Sequence, residues 1–205
     1  MKSAIITLAI STLLGHALFA QKNKDPNLNA PVPITQKATY EDWCIVEPIP
    51  FDQPECWATS ASQCVAQGLL SNVNLTEDAN SGTYALVLTT GEDSIGMPLP
   101  AIAFFKNKIN TRPEKITGYY KADLKGEDYA SIHVTLTDSR GSIGWGVLDI
   151  TRSSNIYEHF EVPLHYYSAS VQPDSFSLII YSSYDLPTSG TTLTLDDLAL
   201  ETLTD

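Results

Sequence analysis

The chain has 205 residues, a formal net charge of −12 at pH 7 and a hydrophobic fraction of 43%. This length allows one domain with a sizeable core. The charge argues against nucleic acid and anionic lipid as partners, because both are bound through basic surfaces. Acidity permits a bound cation, but by itself it mainly favours solubility.

The first 20 residues predict a secretory signal peptide. Lys2 supplies an early positive charge, the run from Ala4 to Ala20 is mostly apolar, and cleavage is expected after Ala20 or, alternatively, after Ala17. The run is short for a transmembrane helix, which needs about 20 residues. We therefore expect no transmembrane span and export to the periplasm, the cell surface or the medium.

Residues 21–37 are polar and contain Pro26, Pro31 and Pro33, which predicts an extended leader or linker. The domain is expected over residues 38–205. Its three cysteines, Cys44, Cys56 and Cys64, allow at most one intrachain disulfide, and both Cys44–Cys56 and Cys56–Cys64 remain open. Zinc is disfavoured, because the cysteines lack paired spacing and a nearby histidine.

Short strands separated by turn residues follow from residue 38 onward, and no long helical pattern interrupts them. Gly144 and Gly146 predict a bend or a close backbone approach, and Pro163 places its strand at an edge or a bulge. About ten such strands indicate an all-β, antiparallel β-sandwich or jelly roll. The main segments are Tyr40–Val46, Gly82–Leu88, Lys115–Lys121, Ala130–Thr137, Ser142–Ile150, Tyr157–Tyr166, Ser175–Ser182 and Thr191–Thr202.

The last of these strands changes phase in its middle. Leu193 and Leu195 alternate with threonines, whereas Leu198 and Leu200 alternate on the opposite parity. A one-residue slip would turn one pair of leucines to the other face. A β-bulge at Asp196-Asp197 would absorb the extra residue and keep all four leucines inside.

Six sequence pieces are distributed over the predicted domain, and the most specific of them runs from Arg112-Pro113 to Thr117-Gly118-Tyr119-Tyr120-Lys121. Together the six pieces resemble the carbohydrate metabolism domain (PCMD) family of exported Bacteroidetes proteins. The end of the chain is similar to jelly-roll carbohydrate-binding modules of the galactose-binding-like type. The resemblance implies a β-sandwich and a role in glycan handling at the cell surface. The other pieces are Tyr40–Trp43, Trp57–Ser60, Gly82–Leu86, Tyr181–Ser183 and Gly190–Leu198.

The resemblance to such modules also implies a structural Ca²⁺ held between the first and the last strand. The expected ligands are Glu41 and Asp42 with Asp196 and Asp197, since Ca²⁺ takes six to eight oxygen ligands. The alternative is that these carboxylates are solvated or cap backbone groups.

Catalytic patterns are weak. A glycosidase needs two carboxylates that face each other about 5–10 Å apart, and the scattered acids of this chain predict no such pair. No Gly-x-Ser-x-Gly motif occurs, and His133, His159 and His165 lie on predicted strands, where structural roles are more common. No catalytic residue is therefore predicted.

Glycan binding would need exposed aromatic rings beside a few polar groups, although aromatic residues are also common in strands and cores. We expect a non-catalytic carbohydrate-binding module; the alternatives are an adhesive surface protein that binds other proteins and a glycoside hydrolase. The predicted sugar platforms are Trp57, Tyr119, Tyr120, Trp145, Tyr181 and Tyr184.

Overall fold

The structure is a computed structural model that describes residues 57–202 and, for the backbone alone, residues 43–45 and 52–54. The predicted signal peptide and linker, Glu41 and Asp42 lie outside the described residues. The elements are β1 (Trp43–Ile45), β2 (Asp52–Pro54), β3 (Trp57–Thr59), α1 (Ala61–Ala66), β4 (Val73–Thr76), β5 (Ala85–Thr89), β6 (Gly91–Glu92), β7 (Pro98–Leu99), β8 (Ile102–Lys108), β9 (Lys115–Asp123), β10 (Ala130–Asp138), β11 (Gly141–Ile150), β12 (Ser154–Pro163), β13 (His165–Tyr166), β14 (Ser175–Tyr181) and β15 (Thr192–Glu201).

Two antiparallel sheets contain most of these strands. One has six strands in the order β13-β11-β10-β14-β8-β3, and the other has five in the order β12-β9-β15-β5-β4. Side chains from both sheets, such as Ile132 and Ile180 from the first and Leu86 and Leu193 from the second, belong to one buried cluster. The fold is therefore an antiparallel β-sandwich, as the strand pattern predicts.

Strand β10 shows how the sequence divides the six-stranded sheet into two faces. Ala130, Ile132, Val134 and Leu136 are buried in the core, because successive side chains of a strand point to opposite faces. The intervening polar residues, such as His133, therefore lie on the side of the sheet that faces away from the core.

Strand β15 contains the bulge that its hydrophobic phase predicts. Its register against β9 shifts between Asp196 and Ala199, and Asp197 has a positive φ of 52°. Leu198 is buried on the far side of the shift, and Leu200 packs against the core. The extra residue thus keeps the leucines of both halves of the strand on the inner side.

Gly118 of β9 lies opposite this bulge. A Cβ atom at this position would lie 2.7 Å from Leu198 Cδ2 and 2.9 Å from the Phe160 ring. These distances are shorter than van der Waals contact, so the space is available only to glycine.

Several strands differ from the pattern-based expectation, and two of the differences affect the large sheets most. No strand is predicted between Pro100 and Arg112, yet β8 forms there, between β14 and β3. The single strand expected over Tyr157–Tyr166 is two strands: β12 at the edge of the five-stranded sheet and β13 at the edge of the six-stranded sheet. The chain crosses between the sheets at Leu164, directly after Pro163, which ends an edge strand as expected.

Helix α1 contains Cys64, whose thiol is free and buried. Burial raises the pKa of this thiol. The Cys56–Cys64 pairing is therefore absent from the structure, and the side chains of Cys44 and Cys56 lie outside the described residues. No helix in the described part of the chain is long and apolar enough to cross a membrane.

Candidate functional site

The side of the six-stranded sheet that faces away from the core carries a mixed aromatic and polar surface. Paired residues of antiparallel strands share a face, so Thr135 lies between Trp145 and Ser177, and His133 lies between Val147 and Ile179. We call this surface the outer face. Its central residues are Ser131, His133, Thr135, Trp145, Val147, Asp149, Ser177, Ile179 and Tyr181.

Trp145 is 43% exposed on the outer face. The glycines on either side of it point inward, where the segment joining β12 to β13 passes close to β11. A Cβ on Gly144 would lie 2.8 Å from the His165 carbonyl oxygen, and one on Gly146 would lie 2.7 Å from that of Pro163. The predicted close backbone approach is therefore confirmed, and it leaves the indole facing outward.

An aromatic cluster surrounds His133 at the β14 side of the outer face. Its imidazole lies 5.3 Å from the Tyr181 ring and 4.8 Å from the Tyr184 ring, centroid to centroid. The Tyr129 ring lies 5.9 Å from that of Tyr184. Tyr181 is almost fully buried beneath this cluster, and burial raises its pKa to about 12. Tyr184 and His133 are half-buried and form its accessible part.

Ser131 joins His133 to Asp149. Its hydroxyl donates to Asp149 Oδ1 at 2.6 Å and lies 2.8 Å from His133 Nε2. In a serine hydrolase the histidine lies between the serine and the acid and removes the proton of the hydroxyl. Here the serine occupies the middle position and its proton is directed to the carboxylate, so this group is suited to fixing the imidazole and not to nucleophilic attack.

The outward side of the five-stranded sheet has a different character. Lys115 pairs with Glu161 at 2.6 Å and with Glu201 at 3.3 Å, and Lys121 pairs with Asp78 at 2.6 Å. Among the described residues of the six-stranded sheet, Asp138 and Arg140 form an ion pair at the β10–β11 turn. No ion pair between described residues crosses the outer face. The outer face therefore offers aromatic rings and polar groups that are not engaged in ion pairs, whereas the opposite surface carries several charged pairs.

Solved structures share this architecture. The chain is similar to a provisionally assigned glycoside hydrolase from Bacteroides thetaiotaomicron, with a TM-score of 0.65 and 13% identity over 82% of this chain and 71% of that one. It is also similar to one from Bacteroides vulgatus, with a TM-score of 0.64 and 14% identity over 80% and 96% of the two chains. A carbohydrate-binding module specific for non-crystalline cellulose, CBM28, has a TM-score of 0.50 and 14% identity over 84% and 95%.

These likenesses confirm the antiparallel jelly-roll sandwich. No protein-family model matches the chain, and no curated protein matches it either. Identity this low shows the fold alone, so the chemistry of the site has to be argued from its own residues.

The structure brings two of the six predicted sugar platforms, Trp145 and Tyr184, to accessible positions on the outer face or its rim. Tyr181 lies on the same side of the sheet but is 4% exposed, so its ring supports the His133–Tyr184 cluster and is not placed to stack on a sugar. Tyr119 instead lies on the outward side of the five-stranded sheet, where its ring contacts His159 at 5.2 Å.

The prediction that Trp57 and Tyr120 are sugar platforms is wrong, because both side chains belong to the core. Trp57 is 5% exposed and packs against Phe105 with ring centroids 5.1 Å apart. Tyr120 is buried, and its hydroxyl donates to Glu158 Oε2 at 3.0 Å. Neither ring is placed to stack on a bound sugar.

Sequence reasoning missed Ser131, Asp149 and Tyr129 and did not connect His133 with binding. Ser131 and His133 are two residues apart on the most regular strand, so their shared face was available from the period-two pattern. The position of Asp149 beside these two residues follows only from the β10–β11 register, in which Asp149 pairs with Ser131.

The Asp196-Asp197 pair lies at the bulge of β15 and binds the loop between β4 and β5. Asp196 Oδ2 accepts the backbone N–H groups of Asn80 and Ser81 at 2.7 and 3.0 Å. Asp197 accepts the Asn80 amide at 2.8 Å and the Ser81 hydroxyl at 2.6 Å. Burial raises the pKa of the Asp196 carboxyl, and its N–H bonds partly offset that effect.

This arrangement bears on the expected Ca²⁺. The carboxylate oxygens of the pair face hydrogen-bond donors, whose positive ends disfavour a cation in the same place. In the described part of the chain β1 pairs with β2, whereas β15 pairs with β9 and β5. The described half of the ligand set therefore fits backbone capping better than metal ligation. Calcium stays a prediction, because Glu41 and Asp42 lie outside the described residues.

A second buried carboxylate, Asp128, holds the loop that carries Tyr184. Asp128 is 5% exposed. Its Oδ1 accepts the Tyr129 N–H at 2.8 Å, and its Oδ2 accepts the Thr188 N–H at 3.0 Å and the Ser183 hydroxyl. The Tyr184 N–H donates to the Tyr129 carbonyl at 3.0 Å. Asp128 thus fixes both tyrosines at the rim of the outer face.

Replacing Asp128 with asparagine should loosen this loop. An amide nitrogen would face one of the N–H or O–H donors, so at least one bond would be lost, at a cost of about 2 kcal/mol in the free energy of unfolding. Hydrogen exchange should accelerate in residues 183–190. Mass spectrometry of deuterium uptake measures this directly.

The matched control is Asp196→Asn, because Asp196 is also a buried carboxylate, 4% exposed, that binds backbone N–H groups of a loop. This variant should lose comparable stability but accelerate exchange in residues 78–82. Unchanged exchange of residues 183–190 in Asp128→Asn would show that other contacts hold the Tyr184 loop.

Proposed function

We propose that this protein is an exported, non-catalytic carbohydrate-binding module that binds a neutral glycan on the outer face. The observation that carries the proposal is the composition of that face: Trp145 and the His133–Tyr184 cluster are interleaved with the hydroxyls of Thr135 and Ser177, and the described residues form no ion pair across it. Neutral sugars bind through apolar ring faces and hydroxyl hydrogen bonds, which this combination supplies.

The dimensions of the face favour a chain over a single sugar. Trp145 on β11 and Lys106 on β8 lie in one cross-strand row, with Thr135 and Ser177 between them. Three strand spacings separate the ends of this row, about 14 Å. This length exceeds that of one sugar ring, so an oligosaccharide would contact several strands at once.

The first glycans to test are suggested by the fold neighbours. The CBM28 neighbour is specific for non-crystalline cellulose, so hydroxyethyl cellulose is a suitable soluble probe. Membership of the PCMD family and a structural Ca²⁺ bound by Glu41, Asp42, Asp196 and Asp197 belong to the same proposal and rest on the sequence resemblance. Export to the periplasm, the cell surface or the medium also belongs to it and rests on the signal peptide predicted over the first 20 residues.

The experiment is a glycan-array screen of residues 21–205, run with Ca²⁺ and repeated with EDTA. The proposal predicts binding to neutral glycans without release of product. Loss of binding or of thermal stability in EDTA would support the calcium site. Failure to bind any glycan in either condition would contradict the proposal and favour the adhesive alternative.

A glycoside hydrolase is the second candidate, because two fold neighbours are provisionally assigned that activity. It requires two carboxylates facing each other across the bound glycan. On the outer face Asp149 accepts the Ser131 hydroxyl at 2.6 Å, and an acid partner for it would have to come from the surrounding loops. Release of reducing ends from an array glycan, abolished in Asp149→Asn, would favour this function.

A further inference from the structure

His133 has one ring nitrogen engaged and one free. Nε2 lies 2.8 Å from Ser131 Oγ, whereas Nδ1 has no hydrogen-bond partner among residues 57–202. Among residues 57–202, the fully buried side-chain polar atom that lacks a hydrogen-bond partner is Thr59 Oγ1. His133 Nδ1 is therefore not fully buried, and it belongs to the half-buried side chain on the outer face.

The neighbours of His133 determine its tautomer. The Ser131 hydroxyl has one proton, and the Asp149 carboxylate, 2.6 Å away, can only accept it. The Ser131 oxygen must then accept from His133, so Nε2 carries the hydrogen. In the neutral ring this leaves a lone pair on Nδ1.

We propose that His133 Nδ1 accepts a hydrogen bond from a sugar hydroxyl of the bound glycan, with Ser131 and Asp149 as positioning residues that hold the required tautomer. This inference rests on the proposed function and names a contact within it. A hydroxyl is the complementary group because it can donate to Nδ1 while the sugar ring lies against the Tyr184 ring, 4.8 Å from the imidazole. A glycan that lacks a donor at this position would bind more weakly.

The contact makes binding depend on pH. Burial lowers the pKa of His133, and the nearby Asp149 charge partly opposes this. The other titratable groups packed around the ring are Tyr181 and Tyr184, with Tyr129 and Asp185 behind them. Protonation would turn Nδ1 from an acceptor into a donor and remove the contact. Affinity should therefore fall as the pH drops through the folded-state pKa of His133, which lies below the ordinary histidine value of about 6.5.

The lowered pKa of His133 also makes the free energy of unfolding depend on pH. A histidine whose pKa is lower in the folded state opposes folding when it is protonated. The stability due to neutral His133 is fully present above about pH 6.5 and is lost as the pH falls through the folded-state pKa. Binding is therefore measured together with circular dichroism, so that only folded protein is compared.

The test uses a panel of soluble neutral glycans (hydroxyethyl cellulose, mixed-linkage β-glucan, xylan and galactan) and three variants. His133→Phe keeps a ring but has no acceptor, and it should bind about tenfold more weakly at neutral pH. His133→Gln can donate to Ser131 and still offer an acceptor, so it should keep most of the affinity and lose the part of the pH dependence that His133 causes. His159→Gln, on the opposite sheet, should behave as wild type.

Nitrogen chemical shifts of the His133 ring, recorded without glycan, provide a readout that does not need binding. They should show the Nε2–H tautomer. An Nδ1–H tautomer, or wild-type affinity and an unchanged pH profile in His133→Phe, would overturn this inference and leave the proposed function standing. If the wild-type protein binds none of the panel at any pH, both the proposed function and this inference fail.

Discussion

Replacing Gly146 with alanine should reduce the free energy of unfolding by about 3 kcal/mol. The added Cβ would lie 2.7 Å from the Pro163 carbonyl oxygen, 2.9 Å from Val162 Cγ1 and 3.0 Å from Leu164 Cδ2. Insertions into packed cores cost about 1–3 kcal/mol and more where backbone must move. Here the obstacle is partly backbone, in the segment that carries the chain from one sheet to the other. Chemical denaturation followed by circular dichroism measures the loss.

Gly91→Ala is the control for this substitution, because a Cβ at Gly91 would meet nothing within 4 Å. It should change the stability by less than about 1 kcal/mol. Equal stabilities of the two variants would mean that the β12–β13 segment does not pass as close to β11 as the structure places it.

Replacing Trp145 with alanine should weaken glycan binding by about thirtyfold, or about 2 kcal/mol. The indole is 43% exposed, it lies in the row that crosses the outer face, and large aromatic side chains dominate the energetics of binding surfaces. Since the side chain points away from the core, stability should change little. Isothermal titration calorimetry with the tightest-binding array glycan gives both affinity and stoichiometry.

Tyr119→Ala is the matched control for Trp145→Ala. Trp145 lies beside His165, with ring centroids 5.1 Å apart. Tyr119 is likewise an outward aromatic residue beside a histidine, with its ring 5.2 Å from that of His159, but it lies on the five-stranded sheet. Its loss should leave affinity unchanged. A large effect of Tyr119→Ala together with none of Trp145→Ala would move the binding surface to the opposite sheet.

The bulge in β15 illustrates what local sequence can predict. The change of parity between Leu195 and Leu198 requires an extra residue if both are to be buried, and the shift is found where the two aspartates stand. The Gly144–Gly146 pair was interpretable for the same reason, because a glycine on each side of an outward tryptophan implies close approach on the inner side. In both cases a single strand contained the whole signal.

Strand β8 shows where local pattern fails. Phe104 and Phe105 are adjacent, and each lies partly buried on a different side of the strand, so no simple alternation is visible. Phe105 packs on Trp57 inside the sandwich, and Phe104 pairs with Ile179 on the outer side. The identity of the neighbouring strands decides these positions, and that information is not local.

The candidate site was predictable only in part for a related reason. Aromatic composition indicated Trp145 and Tyr184, but it could not separate them from Trp57, Tyr120 and Tyr181, which are buried. The Ser131–Asp149 contact depends on the hairpin register. The position of Tyr184 depends on Asp128, more than fifty residues earlier in the chain.

The most specific piece of the family resemblance has structural roles in this fold. The Arg112 guanidinium lies 3.5 Å from the centre of the Tyr166 ring and donates to the Ser168 carbonyl at 3.3 Å and to that of Val171. Gly118 fills the space opposite the bulge. These residues stabilise the scaffold, which is why the resemblance predicts the fold better than the ligand.

The most direct test of the central claim is chemical-shift mapping of the isotope-labelled protein during titration with its tightest-binding array glycan. The account predicts that the Trp145 indole N–H and the amides of β10, β11 and β14 shift together with the Tyr184 loop. Shifts concentrated around Tyr119 and His159, or no shift with any array glycan, would contradict binding on the outer face.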